Sequence, residues 1–250
     1  MAFVALAAVA SIPSPQPTAT GEPPPVLVEL FTSEGCSSCP PADALLARLD
    51  TQQPVAGAHI IILEQHVDYW DDLGWRDPFA SRAATDRQKD YAFALNADVY
   101  TPQMVIDGQK ELLGSDESAA RRSIAAAAAP AKVFVRLAWA GDATADSRVL
   151  RINAAKSSSA KTADVFLAVT ESHLHSDVRR GENAGRGLEH DGVVRQLVRV
   201  GRTNAGPENA FDSQTSVKLG KDWKRENLRV VVFLQDPHSR RILGSAEIPF

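Results

Sequence analysis

The spacing of apolar positions changes character near residue 130. Before that point, short apolar runs alternate with stretches of helical spacing. After it, apolar and polar residues alternate one by one. Val26, Leu27, Val28, Leu30 and Phe31 read as a buried strand. The segment 42–49 follows with helical spacing, and 58–63 is a second buried, β-branched run. Over 79–95, Ala80, Ala83, Ala84, Tyr91, Ala94 and Leu95 share one side of a predicted helix. Arg82, Asp86, Arg87, Lys89 and Asp90 fill the other side, which reads as a solvated face. Pro102 opens a strand over 104–106, and Asp107-Gly108 signals a turn into a strand over 110–113. Ser115 is the expected N-cap of an alanine-rich helix that runs to about residue 129.

Beyond Pro130 the alternation recurs over 132–139, 149–154, 163–170, 193–200, 216–219, 229–234 and 242–248. Strands of that length between polar turns suggest a small β-sandwich. Asp236 to Arg240 reads as a hairpin turn. The expected organisation is a leader over 1–25, an α/β domain over 26–130 and a sandwich-like, mainly-β domain over 131–250. In the α/β domain, helices would flank a mixed sheet. Met1 to Ala10 is almost wholly apolar, and Ala8-Val9-Ala10 matches a small-x-small cleavage site. This resembles the end of a secretory signal whose charged start is missing, so a periplasmic or secreted location is expected. The formal net charge of -4 gives no reason to expect nucleic acid or anionic membrane as partner. No later apolar run is long enough to span a bilayer. The sequence leaves the oligomeric state open.

The chain has two cysteines, Cys36 and Cys39, both at the junction of the first strand and the first helix. Disulfide exchange is carried by the thiolate, which a helix N-terminus favours. Cys36 is expected to be the outer nucleophile and Cys39 the sheltered resolving thiol. The competing readings are a structural disulfide, a metal pair or chance. So small a ring adds little chain-entropy stabilisation, and a structural zinc site usually takes four ligands. Pro40 and Pro41 fit a first helical turn, so regular helix is expected to begin near Pro40 with the cysteines in the turn before it. The loop 64–78 is rich in acids and aromatics, and His66, Asp68, Trp70 and Trp75 are candidates to border the site. Equally, the tryptophans would simply pack and the acids be solvated. The segment 173–191 is long, charged and glycine-rich, and a solvated surface loop is the favoured reading. The alternatives are that it folds over the cysteines, bringing Arg186 or His190 near the thiolate, or that it binds a partner. His173-x-His175 is a weak metal-pair signal. No metal ligand and no cofactor is assigned beyond the redox-active disulfide itself.

The element order, with Cys-x-x-Cys after the first strand and a proline before the third, is similar to the thioredoxin superfamily. Thr101-Pro102-Gln103 with Ile106-Asp107-Gly108 looks especially like glutaredoxins. The resemblance implies a cis Pro102 against the cysteine pair, and a Thr101 backbone that holds substrate as an added strand. It also directs attention to Glu29 as a buried proton relay, although Glu29 lies seven residues before Cys36 and not six; otherwise Glu29 points to solvent. Ser37-Ser38 matches neither family's intervening pair, so redox direction stays open. Glu34 to Asp43, His66 to Trp70 and Gly181 to Arg186 resemble an uncharacterised secreted family, domain of unknown function 1223, described as thioredoxin-like. The expected activity is exported thiol–disulfide exchange on protein or small-molecule disulfides. The alternative is a non-catalytic binding module, or a Cu(I) carrier on Cys36 and Cys39.

Overall fold

The computed structural model describes residues 21–141, 146–155, 162–203 and 211–250. The expected leader therefore lies outside the described residues up to position 20. The fold is mainly β, with a mixed sheet and few helices. Its first half runs β1 (Pro25–Thr32), α1 (Pro40–Gln52), β2 (His59–His66), α2 (Arg82–Leu95), β3 (Gln103–Ile106), β4 (Lys110–Leu113) and α3 (Glu117–Ala128). Strands β5 (Val135–Ala140), β6 (Ser147–Ala154), β7 (Asp164–Glu171), β8 (Leu174–Asp177) and β9 (Gly187–His190) follow. They are succeeded by β10 (Val193–Arg202), β11 (Phe211–Lys218), β12 (Leu228–Gln235) and β13 (Ile242–Pro249).

One eight-stranded sheet crosses both halves in the order β13-β12-β7-β10-β2-β1-β3-β4. Residue 130 therefore does not separate two sheets. β10 joins β2 in parallel at Val193 and Glu64, which extends the first-half sheet with second-half strands. Among the described residues, β8 and β9 form a separate two-stranded sheet, and β11, β6 and β5 a separate three-stranded one. Its Val135, Leu150, Ile152 and Val217 pack on Val165, Leu167, Val169, Val230 and Val232 of the large sheet. The sheet-on-sheet packing of a sandwich is thus present, but one of its layers is the shared sheet.

Strands β1 and β2 read as continuous apolar runs because both of their faces are covered. Val26, Val28 and Leu30 meet Leu45, Leu46 and Leu49 of α1 and Ile124 of α3. Alternate residues face the other way, where Tyr91 of α2 packs with Phe31, Val67 and Val105. Helix α2 starts at Arg82 because Ser81 caps it, its side chain accepting from the Ala84 amide at 3.1 Å. Its expected solvated face is interrupted at Arg87, which is buried against Glu29 at 2.6 and 2.7 Å. Ala83, expected inside, is exposed. The cap of α3 is Asp116 and not Ser115, since the Asp116 carboxylate accepts from the Ala119 amide at 2.9 Å.

The Asp-Gly turn after β3 does more than reverse the chain. Asp107 exchanges backbone and side-chain hydrogen bonds with Leu27, its amide donating at 2.8 Å and its carboxylate accepting at 2.9 Å. Its carbonyl accepts from Ile242 at 2.8 Å, and its carboxylate pairs with Lys132. Gly108 has a φ of 64°, and a Cβ there would stand 2.0 Å from the Arg240 carbonyl oxygen. Asp107 thus fastens β1 to Lys132, between α3 and β5, and to β13. Removing its carboxylate strands a buried amide and a buried ammonium. Asp107→Ala is expected to cost about 3 kcal/mol of unfolding free energy, read as a lower urea midpoint.

Candidate functional site

β1 ends at Thr32 and α1 begins at Pro40, so Ser33 to Cys39 form a tight connection. The Cys36 amide donates to Ser33 O at 3.1 Å, and the Cys39 amide to Cys36 O at 3.2 Å. Cys39 is the N-cap residue, with φ -79° and ψ -38°. Pro40 and Pro41 have no N–H to offer. The next two amides, of Ala42 and Asp43, both bond Cys39 O, at 2.8 and 3.2 Å. The expected gift of free helix amides to Cys36 is therefore absent, and only the longer-range dipole remains.

Cys36 and Cys39 are bonded to each other, with Cα atoms 5.4 Å apart. The expectation of an outer Cys36 is not met: both residues are 0 % exposed. The cover is the segment expected to be a solvated loop. β8 and β9 form a two-stranded hairpin, and residues 178–186 between them reach across to the cysteine loop. The Asn183 amide group spends both its N–H bonds there, on Glu34 O at 2.8 Å and Cys36 O at 2.9 Å. Glu182 accepts from the Ser37 amide at 3.2 Å, and Arg186 donates to Asn183 Oδ1 at 3.0 Å. Gly181, at φ 76°, sits so close that a Cβ there would lie 3.1 Å from the Trp75 Cβ. Asn183 and His190 are buried, whereas Glu182 and Arg186 stay exposed. His173 and His175 are also exposed, paired with Asp191 and Glu189 respectively.

Behind the cysteine loop lies a buried group of charges. His66 Nδ1 is 2.6 Å from Asp77 Oδ2, and its Nε2 is 3.2 Å from Glu64 Oε1. The same Glu64 oxygen meets His190 Nδ1 at 2.7 Å. Glu34 carries the group to the cysteine loop: its Oε2 accepts from Trp75 Nε1 at 2.7 Å and its amide donates to Asp77 Oδ2 at 2.9 Å. Burial disfavours charge on both imidazoles, but the carboxylates outweigh it. Asp77 and Glu64 push His66 up to about 9, and Glu64 with Glu34 pushes His190 up to about 11. Burial likewise opposes charge on Glu64, yet His190 and His66 hold it down to about 2. Asp43, hydrogen-bonded by Thr32, is pushed up to about 7 by burial and by Glu64.

The remaining candidates divide. Trp70 donates to Thr101 Oγ1 at 2.9 Å, and its Cβ crowds Gly35, so it bridges the cysteine loop to Thr101. The Thr101–Pro102 peptide is cis, and Pro102 is buried. Asp68 is tied instead to Thr85 on α2, through its carboxylate at 2.6 Å and its amide at 3.0 Å. Glu29 neither reaches solvent nor serves the cysteines: it is buried with Arg87, Tyr91 and Gln65. The extra residue in its spacing places it on the α2 side of the sheet.

Residues 27–235 match the family described as Protein of unknown function (DUF1223). The chain belongs to this family. The DUF1223 chain is also similar to the crystal structure of protein AGR_C_4864 from Agrobacterium tumefaciens, at 27% identity and a TM-score of 0.69. That match covers 92% of this chain and 96% of the other. Its fold is shared with HBP35 of Porphyromonas gingivalis, at 14% identity and a TM-score of 0.70, over 91% of this chain and 76% of that one. No curated protein matches. Among the described residues, no helix is long and apolar enough to cross a membrane.

Sequence reasoning passed over Glu34, Glu64, Asp77 and Asn183. Glu64 and His66, two apart on β2, carried a signal, since polar side chains at strand positions buried on both faces need partners. Asn183 carried none. The DUF1223 chain offers a direct check on its clamp. Asn183→Ala removes the two hydrogen bonds to the cysteine loop, worth about 1 kcal/mol each. The Cys36–Cys39 bond is then expected to be reduced by dithiothreitol about thirtyfold faster, measured by quenched alkylation at unchanged circular dichroism.

Proposed function

We propose that this chain is an exported thiol–disulfide oxidoreductase with a thioredoxin-like first half and Cys36–Cys39 as its redox centre. The observation that carries the reading is that the only two cysteines are bonded across a loop of sequence separation 3 at the start of α1. A ring so short contributes little to stability, so its chemistry is the better reason for it. The strand order β2-β1-β3-β4 around the cysteine loop supports the thioredoxin-like reading, as do α1 and α3 on one face and α2 on the other. The apolar Met1 to Ala10 stretch supports export to a compartment where disulfides persist.

In the reducing direction, the Cys36 thiolate attacks a substrate disulfide. One substrate sulfur leaves as thiolate, and a mixed disulfide to Cys36 remains. The Cys39 thiolate then attacks Cys36 Sγ, the second substrate thiolate leaves, and the Cys36–Cys39 bond closes. Two electrons pass from the dithiol to the substrate. The oxidised pair runs the same steps in reverse. Substrates are protein or small-molecule disulfides, and Thr101 and Pro102 supply the edge on which an extended segment would lie. Both cysteines are covered, so the 178–186 strap opens before a substrate sulfur arrives in line.

Cys36→Ser is expected to abolish catalysed reduction of insulin by dithiothreitol. Cys39→Ser is expected to accumulate a mixed disulfide on Cys36, visible by non-reducing mass spectrometry. Unchanged insulin reduction in Cys36→Ser would remove the proposal.

A further inference from the structure

Within the buried charge group, two atoms lack any hydrogen-bond partner among the described residues: Glu34 Oε1 and His190 Nε2. They face each other at 3.3 Å. On the opposite edge of the His190 ring, three donor atoms converge. Glu64 Oε1, His66 Nε2 and His190 Nδ1 all lie within 4.8 Å of one another, and all three residues are buried.

We propose that Glu64, His66 and His190 bind one divalent transition-metal ion of the zinc class. This site is independent of the redox reading of the cysteines. Two imidazole nitrogens and a carboxylate oxygen suit such ions, and three protein donors leave a position for an exchangeable ligand. Donors 2.0–2.2 Å from one ion stand roughly 3–3.5 Å apart in tetrahedral arrangements. The 3.2 Å between His66 Nε2 and Glu64 Oε1 already matches that spacing. The 2.7 Å between His190 Nδ1 and Glu64 Oε1 is a hydrogen bond, and replacing its proton with a cation lets the pair relax outward.

The surroundings carry the inference further. A ligating imidazole ordinarily gives its other nitrogen to a carboxylate, which fixes the ring and strengthens the donor. His66 does this with Asp77 at 2.6 Å. A cation on His190 Nδ1 fixes the remaining proton on Nε2, which faces Glu34 Oε1 as its ion-pair partner at 3.3 Å. With the ion on Nδ1, the His190–Glu34 contact stands as the outer support of this ligand, as His66–Asp77 does for the other. The ion would also fasten the strap to the sheet, because His190 comes from β9 and Glu64 and His66 from β2. The cysteines are not needed as donors while their sulfurs are bonded to each other.

The test uses the oxidised full chain, incubated with Zn2+ or Co2+ and dialysed, with metal counted by mass spectrometry and Co2+ read by its visible bands. One ion per chain is expected. His190→Gln is expected to lose the ion. Glu34→Gln, which keeps all three donors, is expected to weaken binding by about tenfold. His175→Gln, in the exposed histidine pair, is expected to change nothing. Wild-type protein that retains no ion overturns the site, as does a loss that follows His175 instead. Unchanged binding in folded Glu34→Gln also overturns it, and that variant decides the question if His190→Gln does not fold.

Discussion

The Glu64 carboxylate is the interaction on which the rest of the site depends. It is buried in the sheet, where an ionised carboxylate without partners would cost several kcal/mol. One oxygen meets His66 and His190, and the other accepts from the Asp191 amide at 3.0 Å. The same residue pairs with Val193 at the single register point between β10 and β2. Burying this charge therefore requires the strap, the second-half strands and the first-half sheet to be in place together. The cover over the cysteines follows, because Asn183 is held on the segment that His190 anchors.

That arrangement sets two demands against each other. Exchange needs an accessible sulfur, and the fold encloses both. The enclosing contacts are of unequal kind. His190 is locked into buried charges, whereas Asn183 and Glu182 hold the cysteine loop through a few bonds to backbone groups. In the proposed exchange the tip of such a segment would open locally while its base stays fixed. The prolines that follow Cys39 add to the same balance. They remove free amides that would otherwise favour a thiolate, so in the proposed exchange the activation of Cys36 would rest more on charge around the loop than on α1.

Much of the fold was legible because its strands and helices are regular. Every alternating segment beyond residue 130 became a strand, and the paired-turn signals at Asp107-Gly108 and 236–240 lie where the chain reverses. The shared sheet was not legible. β10 pairs with β7 of its own half and also, at one long-range register point, with β2, and periodicity does not encode that second pairing. The site was read in part. The cysteine pair, Pro102, Trp70, His66 and His190 carry recognisable chemistry at recognisable positions. Glu34 and Asn183 do not, because their roles arise from a strap that meets the loop about 147 residues later in the chain. Arg87 and Glu29 were misplaced for a related reason. A charged residue on a helix reads as solvated unless its buried partner, on a strand far away, is known.

The proposed exchange requires the Cys36–Cys39 bond to open and close as a working centre despite its cover. It is tested most directly by equilibrating the protein in glutathione or dithiothreitol redox buffers and counting free thiols. A reversible two-electron transition between about -270 and -120 mV is expected. A bond that stays closed at potentials below about -300 mV would mark a structural disulfide and contradict it.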